Sequence, residues 1–210
     1  MDTLPTLTTA RLRLRQPTAA DVDAVYSVFA DVASMRYWSR LPMTDANEAL
    51  ALIEQIEACR VREDLLQWGI EEKHGAIIGT CTLAQIDRAN GRGQIGFILR
   101  SDCWGRGYAR EAITRVIDFA GEVLGLRRIE ADVDPNNSQS LRCLERIGFR
   151  REGFLRERWF VGGQAQDTVI LGLLLREWAT ARDTDRGAGS GKALGQGPNP
   201  RQTTLTSDGR

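Results

Sequence analysis

The six residues from Trp104 to Ala109, Trp-Gly-Arg-Gly-Tyr-Ala, have the composition of a phosphate-binding turn. Gly105 and Gly107 carry no Cβ, so a ligand can come close to consecutive backbone N–H groups. The apolar run at 95–99 predicts a buried strand before the turn, and apolar residues at helical spacing over 112–120 predict a helix after it. The positive end of that helix dipole attracts an anion. These residues therefore predict a site for a phosphate group.

Two well-known phosphate loops do not fit this turn. A P-loop requires Lys followed by Ser or Thr after its second glycine, whereas Tyr108 and Ala109 follow Gly107. A Rossmann turn requires a third glycine three residues after the second, and Arg110 occupies that position. A Gly-x-Gly turn alone is equally typical of an ordinary strand-to-helix connection. A second motif decides between these interpretations.

The second motif lies downstream, in the stretch DPNNSQSLRCLERIGFRREG at positions 134–153. It contains Asn-x-x-Ser at Asn137 and Ser140, then a helical segment and the pair Gly148-Phe149. The turn and this motif, separated by one helix and one strand, resemble the two motifs of the GNAT acyltransferases. The phosphate loop of that family reads Gln/Arg-x-x-Gly-x-Gly/Ala.

The match to that loop is close but incomplete. Gly107 and Ala109 fit, whereas Trp104 stands where the family usually has Gln or Arg. The form Trp-Gly-x-Gly-Tyr-Ala is similar to the RimJ/RimL branch of the superfamily. The resemblance extends from about Leu7, through TARLRLR, to a final strand ending near Leu175. It includes a Gly and an Asp that are common in this branch, Gly153 and Asp167.

The resemblance implies an α/β (α+β) domain with the GNAT fold, in which a central mixed, mainly antiparallel sheet is flanked by helices. A splayed pair of strands holds coenzyme A, and acetyl-CoA is the acetyl donor. The backbone of the turn would bind the pyrophosphate, the backbone of Ile98 and Leu99 would pair with pantetheine, and Asn137 would hydrogen-bond the same arm. Capping of the following helix is the alternative role for Asn137. The residues expected to bind the cofactor are Ile98, Leu99, Trp104, Gly105, Arg106, Gly107, Tyr108, Ala109, Asn137, Ser140 and Arg142.

Catalysis requires help for the departing thiolate and a place for the amine proton. Many GNAT members have a tyrosine seven residues after the Asn, but Leu144 occupies that position here. The resemblance to the RimJ/RimL branch therefore makes Ser140 the catalytic residue expected to hydrogen-bond or protonate the sulfur. Where the related strand often reads Glu-Ile-Gly, this chain has Gln94, which cannot take a proton. Spacing does not choose a base among the remaining carboxylates, Asp132, Asp134, Glu71, Glu72 and Asp167.

The lack of an evident base bears on the amine acceptor. Neutralising a lysine at pH 7 costs about 4.6 kcal/mol, whereas neutralising an α-amine costs about 1 kcal/mol. A site without a strong base therefore favours the α-amino group of a protein or peptide N-terminus, with water carrying the proton. Two alternatives stay open: acetylation of a small amine or antibiotic, and a non-catalytic acetyl-CoA-binding sensor.

The elements that position these residues follow from hydrophobic periodicity. The segment 7–15 predicts a half-exposed strand, and Thr18 with Asp21 predicts a capping box that opens a helix. A second helix and a hairpin of strands follow before the phosphate turn. The resemblance places the two helices on the acceptor side, where Tyr37 and Trp38 could contact substrate. Aromatic residues in loops more often pack over the edge of a core.

Composition limits the partners and the compartment. The 210-residue chain has 28 basic and 28 acidic side chains, so no global field draws it to nucleic acid or to a membrane. No apolar run approaches the roughly 20 residues of a membrane span, which predicts a cytoplasmic protein. Four cysteines without C-x-x-C spacing and one histidine predict free thiols and no metal site. The acetyltransferase domain is expected over 1–178, with a disordered Gly/Pro/Ser/Thr/Arg-rich tail over 179–210. A homodimer stays open.

Overall fold

Within the residues that the structure describes, eight strands form one sheet, and helices pack on both of its faces. The computed structural model describes residues 3–62, 65–73 and 75–180, so residues 181–210 of the expected tail lie outside it. The helices are α1 (Val22–Phe29), α2 (Val32–Met35), α3 (Ala46–Val61), α4 (Tyr108–Glu122) and α5 (Ser138–Ile147). The strands are β1 (Leu7–Thr8), β2 (Leu12–Arg15), β3 (Leu65–Glu72), β4 (Ile77–Asp87), β5 (Arg92–Leu99), β6 (Arg128–Val133), β7 (Arg150–Val161) and β8 (Gln164–Leu174).

The strand order is β1-β2-β3-β4-β5-β6-β8-β7. Neighbouring strands run antiparallel except for β5 and β6, which are parallel. This order confirms the expected mixed, mainly antiparallel sheet. No helix in the described ranges is long and apolar enough to cross a membrane.

Capping residues explain where the helices on one face of the sheet begin. The Asp21 carboxylate accepts hydrogen bonds from the backbone N–H and the hydroxyl of Thr18, at 2.8 and 2.9 Å, which confirms the predicted capping box. At α3, the side chain of Asp45 accepts from the Asn47 N–H at 2.9 Å, and the Glu48 side chain accepts from the Asp45 N–H. These side chains satisfy N–H groups that a helix end leaves unpaired.

Two apolar clusters lie on opposite faces of the sheet. The larger one packs α4 and α5 against the sheet around Trp68 and Phe119, whose rings meet edge to face with centroids 5.4 Å apart. The smaller one packs α1, α2 and α3 against Ile77 and Ile98. Because strand side chains alternate, β5 supplies Ile98 to the second cluster and its neighbour Leu99 to the first.

The strands β5 and β6 separate soon after they meet. Their ladder joins only Arg92–Gln94 to Arg128–Glu130, although the strands continue to Leu99 and Val133. The remaining residues of the two strands therefore border a gap in the sheet. Because β5 and β6 are parallel, the helices that follow them, α4 and α5, begin at the same end of that gap. The turn and the Asn-x-x-Ser motif meet there.

Candidate active site

The glycine turn opens α4 without a side-chain cap. Gly107 is the N-cap residue, with φ 79° and ψ 5°, and Gly105 has φ 74°, so both glycines adopt a left-handed conformation that other residues rarely take. In the described part of the chain, no backbone N–H from Gly105 to Arg110 donates to a protein acceptor. A run of N–H groups at the positive end of a helix is suited to bind a pyrophosphate.

Trp104 fastens the turn to the end of β5. Its indole Nε1 donates to the Leu99 carbonyl at 2.8 Å, and the hydroxyl of Ser34 donates to the same oxygen at 2.8 Å. The same hydroxyl lies 2.7 Å from the Asp31 carboxylate, so its one proton is shared between these two acceptors, and Asp31 also accepts from the Ser101 N–H at 2.7 Å. Burial acts to raise the pKa of Asp31, but these hydrogen bonds outweigh burial and lower the pKa to about 2. The tryptophan that departs from the family pattern thus links the phosphate turn to α2.

The register of β4 and β5 decides which backbone groups face the gap. The Arg100 N–H donates to the Ile78 carbonyl at 2.9 Å, and hydrogen-bonded pairs recur every second residue in an antiparallel ladder. The backbone of Ile98, opposite Thr80, is therefore turned toward β4. The backbone groups of Phe97 and Leu99 face the gap. The sequence predicted that the backbones of Ile98 and Leu99 would pair with pantetheine, but the register turns Ile98 toward β4 and places Phe97 beside the gap instead. The two-residue period of a strand, counted from Leu99, could have found Phe97.

The Asn-x-x-Ser motif forms the first turn of α5. The Asn137 side chain accepts from the Ser140 N–H at 3.1 Å, so Asn137 caps the helix. The Ser140 hydroxyl is partly exposed and has no hydrogen-bond partner among the described residues. Arg142 is exposed, and Leu144 is fully buried in the core. The position of the usual tyrosine is thus a core position here, whereas the hydroxyl of Ser140 is available to a ligand.

Arginine side chains give a positive charge to the surface beside the turn. Arg110 of α4 and Arg146 of α5 both lie near Cys143. Burial raises the pKa of the Cys143 thiol, and the positive charges of these two arginines act to lower it. A groove of about 900 Å³ runs from Gly107 along α4, and both arginines line it. These charges suit the phosphates of a nucleotide.

Asp132 lies on the other face of the sheet, beside the gap. Its neighbours Ala131 and Val133 point into the larger core, so the Asp132 side chain points to the face that carries α1 to α3. It accepts from the Trp159 indole at 3.2 Å and from the Thr168 hydroxyl, and only 12% of its side chain is exposed. The Asp132 carboxylate is thus held in one orientation, two residues beyond the end of the β5–β6 ladder.

The other four carboxylates considered as bases hold structural contacts elsewhere. Glu71 accepts from Arg13 and Arg15 at 2.8 Å, and these hydrogen bonds, with that of Arg13 the strongest, lower the pKa of Glu71. Asp134 accepts from the Asn136 N–H, and Glu72 accepts from the Tyr108 hydroxyl. Asp167 accepts from the Glu157 N–H. Among the five candidates, Asp132 has the position that suits an incoming amine.

The loop after α2 lies on this second face and contacts the tip of the β7–β8 hairpin. Trp38 packs edge to face on Phe29, with centroids 6.1 Å apart, so its main contact is with the core. Tyr37 lies under the guanidinium of Arg36. Leu41 contacts the hairpin tip, where a Cβ added to Gly162 would lie 3.2 Å from its Cδ2. A Cβ added to Gly96 of β5 would meet nothing within 4 Å. This face of the sheet therefore has open space at Gly96.

Comparisons with known proteins also indicate an acetyltransferase. Residues 11–150 match the family model of the acetyltransferase (GNAT) domain. The uncharacterized N-acetyltransferase p20 of Bacillus licheniformis is 35% identical over 177 residues, which are 84% of this chain and 99% of that protein. YdaF of Bacillus subtilis, named provisionally a ribosomal N-acetyltransferase, is 34% identical over 104 residues, 50% of this chain and 57% of that protein.

A solved structure extends the comparison to three dimensions. Spermidine N-acetyltransferase from Vibrio cholerae, in complex with CoA and spermine, superposes with a TM-score of 0.72 at 24% identity. The alignment covers 81% of this chain and 99% of that chain. The two proteins share the fold over most of the described sheet and helices.

Proposed function

The chain belongs to the GNAT family of acetyl-CoA-dependent N-acetyltransferases, and from this premise we propose that its acceptor is the α-amino group of a protein or peptide N-terminus, as in the RimJ/RimL branch. The observation that carries the proposal is the hydrogen-bonded carboxylate of Asp132, which lies beside the β5–β6 gap on the face of the sheet that carries α1 to α3. A relative whose name refers to ribosomal N-acetylation supports the same direction.

One fixed carboxylate suits an α-amine better than a lysine. An α-amine needs about 1 kcal/mol to lose its proton at pH 7, whereas a lysine needs about 4.6 kcal/mol. Asp132 already accepts hydrogen bonds from Trp159 and Thr168, so its task is to attract and orient the amine, and water carries the proton away. A lysine would require a stronger base than this arrangement supplies.

The charges around Asp132 argue against a polyamine. A polyamine keeps further positive charges after one nitrogen is neutralised, and each of them needs an acidic partner. The nearest charged neighbour of Asp132 is Arg158, at 3.9 Å, and Glu130 on the same face is paired with Arg92 and Arg128. Acetylation of a small amine remains the second candidate because the relative with the solved structure is a spermidine N-acetyltransferase.

Each residue then has a role in the transfer. The N–H groups of the turn bind the pyrophosphate, and the gap-facing backbone of Phe97 and the N–H of Leu99 pair with pantetheine. The amine, oriented by Asp132, attacks the thioester carbonyl, a C–N bond forms and the C–S bond breaks. Ser140 donates a hydrogen bond to the thiolate that leaves. Arg110 and Arg146 bind the remaining phosphates.

The test is thiol release from acetyl-CoA with four classes of acceptor: free-N-terminus peptides, N-blocked lysyl peptides, polyamines and aminoglycosides. Each free-N-terminus peptide is matched to the same sequence with a blocked N-terminus. We expect release with the free N-terminus and none with its blocked counterpart.

Other outcomes would reject the proposed acceptor. Faster release with lysyl peptides or polyamines would identify a side-chain or small-molecule acetyltransferase. Acetyl-CoA binding by calorimetry, without thiol release from any acceptor, would favour the non-catalytic sensor.

A further inference from the structure

Arg11 lies in the connection between β1 and β2, far in sequence from both cofactor motifs, yet it touches the phosphate turn at several points. Its Nη1 donates to the Arg106 carbonyl at 2.9 Å. Its Nε and Nη2 pair with the Glu111 carboxylate at 2.8 and 2.7 Å. Its guanidinium also lies 4.7 Å from the centre of the Tyr108 ring. One side chain thus contacts three residues of the turn and of the first turn of α4.

We propose that Arg11 is a positioning residue for acetyl-CoA, because it sets the orientation of the peptide group that binds the pyrophosphate. The carbonyl of Arg106 and the N–H of Gly107 belong to the same peptide plane, and in a trans peptide they point in opposite directions. The hydrogen bond from Arg11 holds the carbonyl on one side of the turn. The Gly107 N–H is therefore presented on the other side, where the anion binds. This inference rests only on the donor half of the proposed function.

Without such a contact the turn has freedom to misorient. Gly105 and Gly107 flank this segment, and glycine rotates easily between left- and right-handed conformations. A rotated Arg106–Gly107 peptide would aim a carbonyl oxygen at the phosphates and remove one N–H donor. Arg11 prevents the rotation by binding the carbonyl and, through two nitrogens, Glu111.

The contact contributes little to folding by itself. The Arg11 side chain is 48% exposed, and an exposed ion pair such as Arg11–Glu111 stabilises a protein only weakly. Glu111 also accepts from the Thr9 hydroxyl and the Arg11 N–H, so the β1–β2 connection stays attached to α4 when the guanidinium is removed. Loss of Arg11 should therefore affect the turn more than the fold.

The experiment compares CoA binding by calorimetry in Arg11→Ala, Arg11→Lys and the unchanged protein. Arg13→Ala is the matched control, because Arg13 is 50% exposed, lies on the adjacent strand and pairs with Glu71 instead of the turn. We expect Arg11→Ala to weaken CoA binding about 10- to 100-fold, the loss of one correctly placed donor to a charged group. A lysine reaches one of the two partners only, so Arg11→Lys should recover part of the affinity. The control should bind CoA as the unchanged protein does.

A second arm uses S-acetylpantetheine, a donor without pyrophosphate, with the acceptor that gives the fastest turnover. If Arg11 acts through the turn, Arg11→Ala lowers kcat/KM for acetyl-CoA and leaves kcat/KM for S-acetylpantetheine unchanged. Equal losses for both donors would mean that Arg11 supports the fold in general, and unchanged CoA binding would also overturn the proposal. The binding arm needs no acceptor, so its result is independent of the acceptor that we propose.

Discussion

Replacement of Ser140 by alanine should slow the transfer step while leaving the protein folded. The Ser140 backbone N–H, which Asn137 caps, is kept in alanine, so the first turn of α5 is preserved. The lost hydroxyl has no partner among the described residues, so its removal breaks no internal hydrogen bond. We therefore expect a change in unfolding free energy within about 0.5 kcal/mol.

The catalytic effect follows from one hydrogen bond to a developing thiolate. A hydrogen bond to a charged group contributes about 1.5–3 kcal/mol, and Ser140 is partly exposed, which favours the lower end. This corresponds to a decrease in kcat of about 10- to 30-fold. The affinity for acetyl-CoA should change little, because the neutral thioester sulfur is a poor hydrogen-bond acceptor before the C–S bond breaks.

The assay is thiol release at saturating donor and acceptor, together with the Kd of acetyl-CoA from calorimetry. Ser138→Ala is the matched control, since Ser138 is an exposed residue of the same helical turn. Ser140→Thr keeps a hydroxyl and should restore part of the rate. If kcat of Ser140→Ala stays within twofold of the original value, or if Kd increases as much as kcat falls, Ser140 does not assist the leaving thiolate.

Three further predictions concern the acceptor face and the stability of the fold. Asp132→Asn should lower kcat/KM for the amine about 100-fold and leave the Kd of acetyl-CoA unchanged, as measured by thiol release and calorimetry; an unchanged kcat/KM would exclude a role for this carboxylate. Gly96→Val should raise KM for the acceptor at least tenfold, because the valine side chain would enter the open space at Gly96 on the face that carries α1 to α3. Initial rates at varied acceptor concentration would measure this increase in KM. Hydrogen bonding to Arg15 lowers the pKa of Asp21 from 3.8 to about 2, so the stability that this pair contributes is present above pH 4 and disappears as the pH falls from about 4 to 2. Other carboxylates titrate in the same window, so the measurement is a difference: the loss of unfolding free energy between pH 4 and 2 should be about 1–2 kcal/mol smaller in Asp21→Asn than in the unchanged protein.

Local patterns predicted much of the fold and of the donor site. Buried side chains recur with the short period of each element, and this recurrence can be read from the sequence. It is seen in the strand at Ile129, Ala131 and Val133 and in the helix after Gly107. Gly105 and Gly107 were predicted to matter because they lack a Cβ, and the structure adds that both adopt a left-handed conformation, which few other residues take.

Contacts between distant segments escaped prediction because no local period encodes them. Arg11 and Glu111 are separated by 100 positions, and the Trp159–Asp132 hydrogen bond joins two strands that are not neighbours in the sheet. For the same reason, sequence spacing could not choose among five carboxylates, whereas strand register and hydrogen-bond partners separate Asp132 from the rest. Trp38 shows the opposite case, in which the common role of a loop aromatic residue, packing on a core, is the one observed.

The short ladder between β5 and β6 divides the sheet into two mechanical units. The neighbours of this pair in the sheet are joined by longer antiparallel ladders, β4 to β5 and β6 to β8, whereas three residue pairs join β5 to β6. A pantetheine arm in the gap would join β5 to β6 through backbone hydrogen bonds, much as an added strand does. Donor binding should therefore increase the unfolding free energy of the domain. The reverse step has a cost as well, because release of the product CoA must reopen the gap. The proposed binding step would thus act on the one parallel pair of strands in the described sheet.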